Sequence, residues 1–164
     1  MAAAITLLLL LSVLMAGLSI FVASRAAMIS SQQKADRATT SARSGAEIML
    51  YVLRQIGATE KNPQLLTMPV LQTAIKDALT SLEMTGITVT SDGTTIAVSS
   101  VQLNPSTGQS FTARITRSGA DTVMADVIGI ADDAARTMRI KYNFATGVHL
   151  VFDPVGAAES PAES

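Results

Sequence analysis

The sequence predicts an α+β fold: one long N-terminal helix, apolar in its first half and amphipathic in its second, packed on an antiparallel β-sheet. Three observations predict it. No charged side chain occurs from Met1 to Ser24. A helical spacing of apolar and small residues then continues without proline as far as Pro63. From Ile87 onward the apolar period changes from that of a helix to two.

The run Ala2–Val22 is interrupted only by Thr6, Ser12 and Ser19. Its twenty-one residues would rise roughly 30 Å as a helix, the thickness of a bilayer's hydrocarbon core. Residues 1–24 are therefore read as a membrane or assembly half. A cleaved secretory signal is the competing reading, since Val22-Ala23-Ser24 is small enough for cleavage; its apolar region would be about 7–15 residues after a basic start. Arg25, Lys34, Arg37 and Arg43 all follow the run, and the positive-inside rule taken alone would place the C-terminal bulk in the cytoplasm.

Residues 25–57 read as the amphipathic half of the same helix. A heptad from Met28 runs through Ser31, Ala35, Ala38, Ala42, Gly45, Met49, Val52 and Ile56, while Gln33, Arg37, Thr40, Ser44, Glu47, Tyr51 and Arg54 form a mostly polar stripe opposite. Gly57 is the expected stop. Met49, Val52 and Ile56 are expected to face a core, and the small residues from Ala35 to Gly45 to let another backbone come close, which suits helix–helix packing.

Residues 58–153 read as a globular domain. A connection over 58–69 leads to a short helix, Val70–Glu83, with Leu71, Ile75, Ala78, Leu79 and Leu82 on one face and Gly86 as its end. About five strands follow. Ile87–Thr90 and Thr95–Leu103 flank the hairpin signal Asp92-Gly93. Phe111, Ala113 and Ile115 alternate with polar residues, Ser118-Gly119 turns the chain into Thr122–Ile130, and Asp132-Asp133 marks another turn. Met138, Ile140, Tyr142 and Phe144 form the inward set of the next strand, and Val148, Leu150 and Phe152 that of the last. Residues 154–164 read as a disordered tail.

Composition narrows function by exclusion. Forty-eight per cent of the residues are apolar and 15% charged, with a net charge of −1, so nucleic acid is not an expected partner. The chain has no cysteine and one histidine, His149, which removes thiolate chemistry and histidine-rich metal sites. His149 reads as a surface or edge-strand residue. Asp132-Asp133 lacks the alternating spacing of a calcium loop and reads as a solvated turn. No phosphate-binding glycine loop, nucleophile elbow or zinc motif is present. The expectation is no enzyme, no cofactor, no metal and no small-molecule substrate.

The segment Ala2-Ala3-Ala4-Ile5-Thr6-Leu7-Leu8 resembles the start of mature type IV pilins and type II secretion pseudopilins. The stretch from Ala23-Ser24-Arg25 to Ala42-Arg43-Ser44-Gly45-Ala46-Glu47 is similar to the polar segment of PilX-type minor pilins, and Val123–Ile130 with Ala135–Phe144 is similar to their hairpin. The likeness covers residues 2–56 in sequence and is architectural beyond. It implies a pilin-like fold and a minor pilin or pseudopilin role, in which the subunit assembles into, or primes, a type IV pilus or secretion pseudopilus. The implied partners are membrane lipid, other pilin or pseudopilin subunits and the assembly machinery. The implied location is the bacterial inner membrane, single-pass, with the C-terminal domain extracytoplasmic. Ala2, Ile5, Thr6, Leu10, Ala16, Gly17 and Ile20 would form the membrane and assembly surface, and Ala35, Ala38, Ala42, Gly45, Met49, Val52 and Ile56 the face turned to the domain or to another helix.

The likeness also implies a basic leader ending in Gly ahead of Ala2, whose charges would hold the N-terminus inside and remove the topology conflict. With Ala2 first, Thr6 occupies the fifth mature position, where major pilins carry a Glu; a neutral hydroxyl cannot form their ion pair with a neighbour's amine, which suits a tip or priming subunit. The alternative reading is a single-pass anchored or secreted β-domain that binds an extracytoplasmic partner.

Overall fold

The computed structural model describes residues 2–60, 66–84 and 87–153, with side chains from residue 14 onward. The chain divides after Lys34 into two units. Helix α1, Ala2–Thr59, is continuous in backbone through both. It does not stop at Gly57: the Glu60 amide still donates to the Ile56 carbonyl at 2.9 Å. Glycine here serves packing instead of termination. A Cβ on Gly57 would lie 3.0 Å from the Tyr142 hydroxyl and 3.4 Å from the Phe144 ring.

Helix α2 is Met68–Ser81 and begins earlier than its apolar spacing suggests. Pro69 occupies its first turn, where the missing N–H costs no helical bond and the fixed φ helps. Met68, Leu71, Ile75, Ala78 and Leu79 are buried. Leu82, expected on that face, is the C-cap and is exposed, because the helix has already ended. Gly86, Pro63 and residues 154–164 lie outside the described residues.

Among the described residues there are six strands rather than five: β1 Val89–Ser91, β2 Thr95–Asn104, β3 Gln109–Arg117, β4 Thr122–Ala131, β5 Ala134–Asn143 and β6 His149–Phe152. They form one antiparallel sheet in chain order, every neighbour joined by a short connection. The β1–β2 turn is built on Asp92. Its Oδ1 accepts from the amide of Thr94 (2.8 Å), the hydroxyl of Thr94 (2.8 Å) and the amide of Thr95 (2.7 Å), while Gly93 takes φ +89°. Those donors, the Thr94 amide first, hold the Asp92 carboxyl below its ordinary pKa. Asp132 and Asp133 make the two-residue turn between β4 and β5, Asp132 in the left-handed region at φ +54°.

Alternation places Val89, Ile96, Val98, Phe111, Ala113, Ile115, Val123, Ala125, Val127, Ile140 and Tyr142 on one buried face. Val101 joins them only because the β2–β3 register shifts between Val98 and Val101, a bulge that turns the strand back to the core after Ser99-Ser100. The core is completed by α2 and by the second half of α1, where Met49, Val52, Leu53 and Ile56 are buried. Each such side chain contributes about 1.5–3 kcal/mol by leaving water.

The last strand is inverted relative to expectation. Tyr142 pairs with His149 and Ile140 with Val151, so His149 and Val151 share the core face, while Leu150 and Phe152 share the outer face with Lys141 and Arg139. Val148 and Leu150 are exposed, and on this short edge strand Val151 is too. Phe144, expected to continue the inward set of β5, lies just past that strand; it is buried and its ring meets Tyr142 edge-on with centroids 5.1 Å apart.

Candidate functional site

The candidate site is the surface of α1, in two parts. In the first unit every residue from Leu14 to Gln33 is exposed. The large apolar ones, Leu14, Met15, Leu18, Ile20, Phe21, Val22, Met28 and Ile29, are between 54% and 71% exposed. Ala16, Gly17 and Ile20 belong to this surface, and a Cβ on Gly17 would meet nothing within 4 Å. Ala2, Ile5, Thr6 and Leu10 lie in the helical backbone, and their side chains are outside the described residues. Among the described residues α1 is the one helix long and apolar enough, by length and composition, to cross a membrane. A continuous apolar stripe of this extent is unusual on a surface meant for water.

In the second unit the same helix turns a face inward. Ala35 is half-buried; Ala38, Ala42, Gly45, Met49, Val52 and Ile56 are buried. Ala46 and Leu53 join them, widening the stripe beyond a strict heptad. The opposite stripe stays largely in solvent, Tyr51 included.

The small residues of this face meet a strand, not a second helix. A Cβ added to Gly129 of β4 would lie 2.0 Å from the Ala42 nitrogen, 2.4 Å from the Ala38 oxygen and 2.6 Å from the Ala42 Cα. A Cβ on Gly45 would lie 2.6 Å from the Phe111 ring. Backbone therefore packs on backbone at Ala38–Ala42 and Gly129, and the aromatic ring of Phe111 fills the space over Gly45. Of the two neighbours expected for this face, the domain or another helix, the structure brings the domain against Ala38, Ala42 and Gly45. Gly129, isolated between Ile128 and Ile130 in an alternating strand, is a recognisable signal of close backbone approach that the sequence reading passed over.

Ser41 lies on the same inward face and is 1% exposed, with no hydrogen-bond partner for its hydroxyl. The neighbouring Thr39 and Thr40 hydroxyls each donate to the carbonyl four residues back.

Polar groups elsewhere are dispersed. His149 sits at the sheet edge, where Arg54 Nη2 lies 3.0 Å from its Nε2. A guanidinium only donates, so that imidazole nitrogen accepts, and the bond ties β6 to α1. On the outer sheet face Arg139 and Asp126, cross-strand partners, form a two-pronged ion pair. A groove of about 330 Å³ between the ends of α1 and α2 is lined by Gln55, Thr59, Glu60 and Asp77 among others, with no histidine beside the two carboxylates. Among the described residues no group of three His, Cys, Asp or Glu is placed to hold a metal ion, Asp132 and Asp133 included.

No family model matches the chain, and no curated protein or solved structure matches it significantly.

Proposed function

We propose that the chain is a minor pilin or pseudopilin-like structural subunit, anchored in a membrane by the N-terminal half of α1 and assembled through that same half. The observation that carries the reading is the division of labour along one helix: an apolar segment whose described side chains, Leu14 to Gln33, are all exposed, continuous with a segment whose inward face is the spine of an antiparallel β-domain.

Eight large apolar side chains that stay more than half exposed would each gain on the order of 1–2 kcal/mol by leaving water. Lipid satisfies them without a partner, so the subunit can wait in the membrane. Exchange of lipid for the helices of neighbouring subunits then costs little transfer free energy, because both surroundings are apolar; close packing at small residues such as Ala16 and Gly17 supplies the gain. Thr6, a neutral residue at the place where major pilins carry a charge, supports a tip or priming position over a repeating one. The role is mechanical rather than catalytic, its partners are lipid and like subunits, and its setting is a bacterial inner membrane with the β-domain outside the cytoplasm.

The test is photo-crosslinking in the native cells from a benzophenone side chain at Ile20. Crosslinks to the N-terminal helices of other subunits, lost when the assembly machinery is disabled, are expected. Crosslinks to lipid alone, with the machinery active or not, would reduce the reading to a plain membrane anchor.

A further inference from the structure

The apolar run has no sharp end of its own. Arg25 is its first charge, but the eight residues that follow, Ala26–Gln33, are uncharged too, and Met28 and Ile29 are well exposed. Hydropathy alone would let α1 slide by one to two turns, roughly 5–10 Å, through a bilayer before Lys34 stopped it. Arg25 is the only charged residue between Met1 and Lys34.

Its side chain is placed for a particular level. The guanidinium carbon lies 5.4 Å from the centroid of the Phe21 ring, one helical turn toward the N-terminus, the direction in which helical Cα–Cβ bonds lean. A guanidinium held beside a ring by this attraction keeps its N–H donors for other partners, and an arginine can give two of them to two oxygens of one phosphate. The twenty residues Ala2–Phe21 rise roughly 30 Å, so a phosphate bound at the level of Phe21 leaves a hydrocarbon-core length of helix on the other side.

We infer that Arg25, braced on the Phe21 ring, binds the phosphate of a phospholipid headgroup and thereby sets the level at which α1 leaves the bilayer. This rests on the membrane reading proposed above. Phe21 and Arg25 act as one unit: the ring attracts the guanidinium and lies at the boundary itself, where an apolar body beside a charged tip is favoured.

The chain has no cysteine, so nitroxide labels can be attached singly to Leu18→Cys, Val22→Cys, Ala26→Cys and Ser30→Cys in the full-length protein, reconstituted in phosphatidylcholine–phosphatidylglycerol vesicles. Their depth is read from collision with oxygen against a water-soluble nickel complex. With Arg25 present, the Leu18 label should lie in lipid and the Ala26 label in water. Arg25→Gln should carry the boundary one to two turns toward Lys34, drawing the Ala26 label into lipid, and Arg25→Lys should move it less. In vesicles of digalactosyldiacylglycerol, which has no phosphate, the unsubstituted chain should behave as Arg25→Gln does, and inorganic phosphate in the buffer should not restore the boundary.

A boundary unmoved by Arg25→Gln, or the same in phospholipid and galactolipid, with the Leu18 label still in lipid, would overturn this inference and leave the membrane anchor standing. Restoration by inorganic phosphate would overturn the headgroup as the source. A Leu18 label open to water would overturn both.

Discussion

Replacing Gly129 with alanine drives a methyl group into the backbone of α1. The added carbon would sit 2.0 Å from the Ala42 nitrogen, whereas an unstrained contact needs about 3.4 Å, so helix and strand must part by about 1.4 Å. The obstacle is main chain, so no rotamer relieves it, and truncating Ala42 does not either. A radial gap of even 0.5–1 Å forfeits about a quarter to a half of each dispersion contact across it. The gap opens where Ala38, Ala42, Gly45 and Ala46 face β3 and β4. Overpacking of this kind typically costs about 1–3 kcal/mol, and a backbone obstacle belongs at the upper end, about 3 kcal/mol. Against a total stability of about 5–15 kcal/mol that is a large fraction. The assay is guanidinium unfolding of the full chain in a mild detergent, followed by circular dichroism, with Gly119→Ala as control because its nearest neighbour is 3.7 Å away. Gly119→Ala should change stability by less than about 0.5 kcal/mol. The double variant Gly129→Ala with Ala42→Gly should be no more stable than Gly129→Ala alone. A Gly129→Ala protein within about 0.5 kcal/mol of the parent would refute the close approach.

Gly57→Ala should behave differently, since its new contact is the far end of the Tyr142 side chain. The helix gains about 1 kcal/mol from the better former and loses a similar amount to the tight contact, leaving the same unfolding curve nearly unmoved. Ser41→Ala should raise stability by about 1–2 kcal/mol, because it removes a buried hydroxyl that has no partner; a loss of stability would mean that the hydroxyl is satisfied. The Asp92 carboxyl should titrate below the ordinary aspartate range in a carbon-detected NMR titration, and Thr94→Ala should move it back up. Since its folded value is depressed, its stabilising effect is complete above the unfolded value of about 3.9 and disappears as the pH falls through the folded value. Ile20→Lys or Leu10→Lys should release the protein from membranes in cell fractionation, a mid-bilayer charge costing about 3 kcal/mol on insertion scales; full retention and assembly would mean that the anchoring segment lies elsewhere.

Several parts of this fold are legible before any coordinate is known, each for a local reason. The absence of charge to Ser24 and the spacing through Ala38, Ala42, Met49 and Ile56 describe α1 because a helix has no need of distant partners for its hydrogen bonds. Asp92-Gly93 and Ser118-Gly119 announce turns through their own backbone preferences. The errors occur where a partner decides. Val148, Leu150 and Phe152 look like an inward set, yet the pairing of His149 with Tyr142 turns them outward, since a one-residue change of register exchanges the faces of a strand. Pro69 looks like part of a connection and is the first turn of α2. The small residues of α1 announce a close neighbour without saying which. Only Gly129, on a strand almost ninety residues away, identifies it. The surface from Leu14 to Gln33 is legible as apolar with Arg25 as its single charge, but the arginine–aromatic contact that gives it a level depends on a side-chain direction that composition does not contain.

An assembly subunit and a secreted domain differ in the mass of the N-terminal peptide of the protein isolated from its own cells. A processed, N-methylated terminus at or near Ala2 is expected, with the whole apolar half of α1 retained for anchoring and assembly. A terminus near Arg25 would mean that the apolar segment is a cleaved signal and that the β-domain leaves the membrane, which contradicts the account.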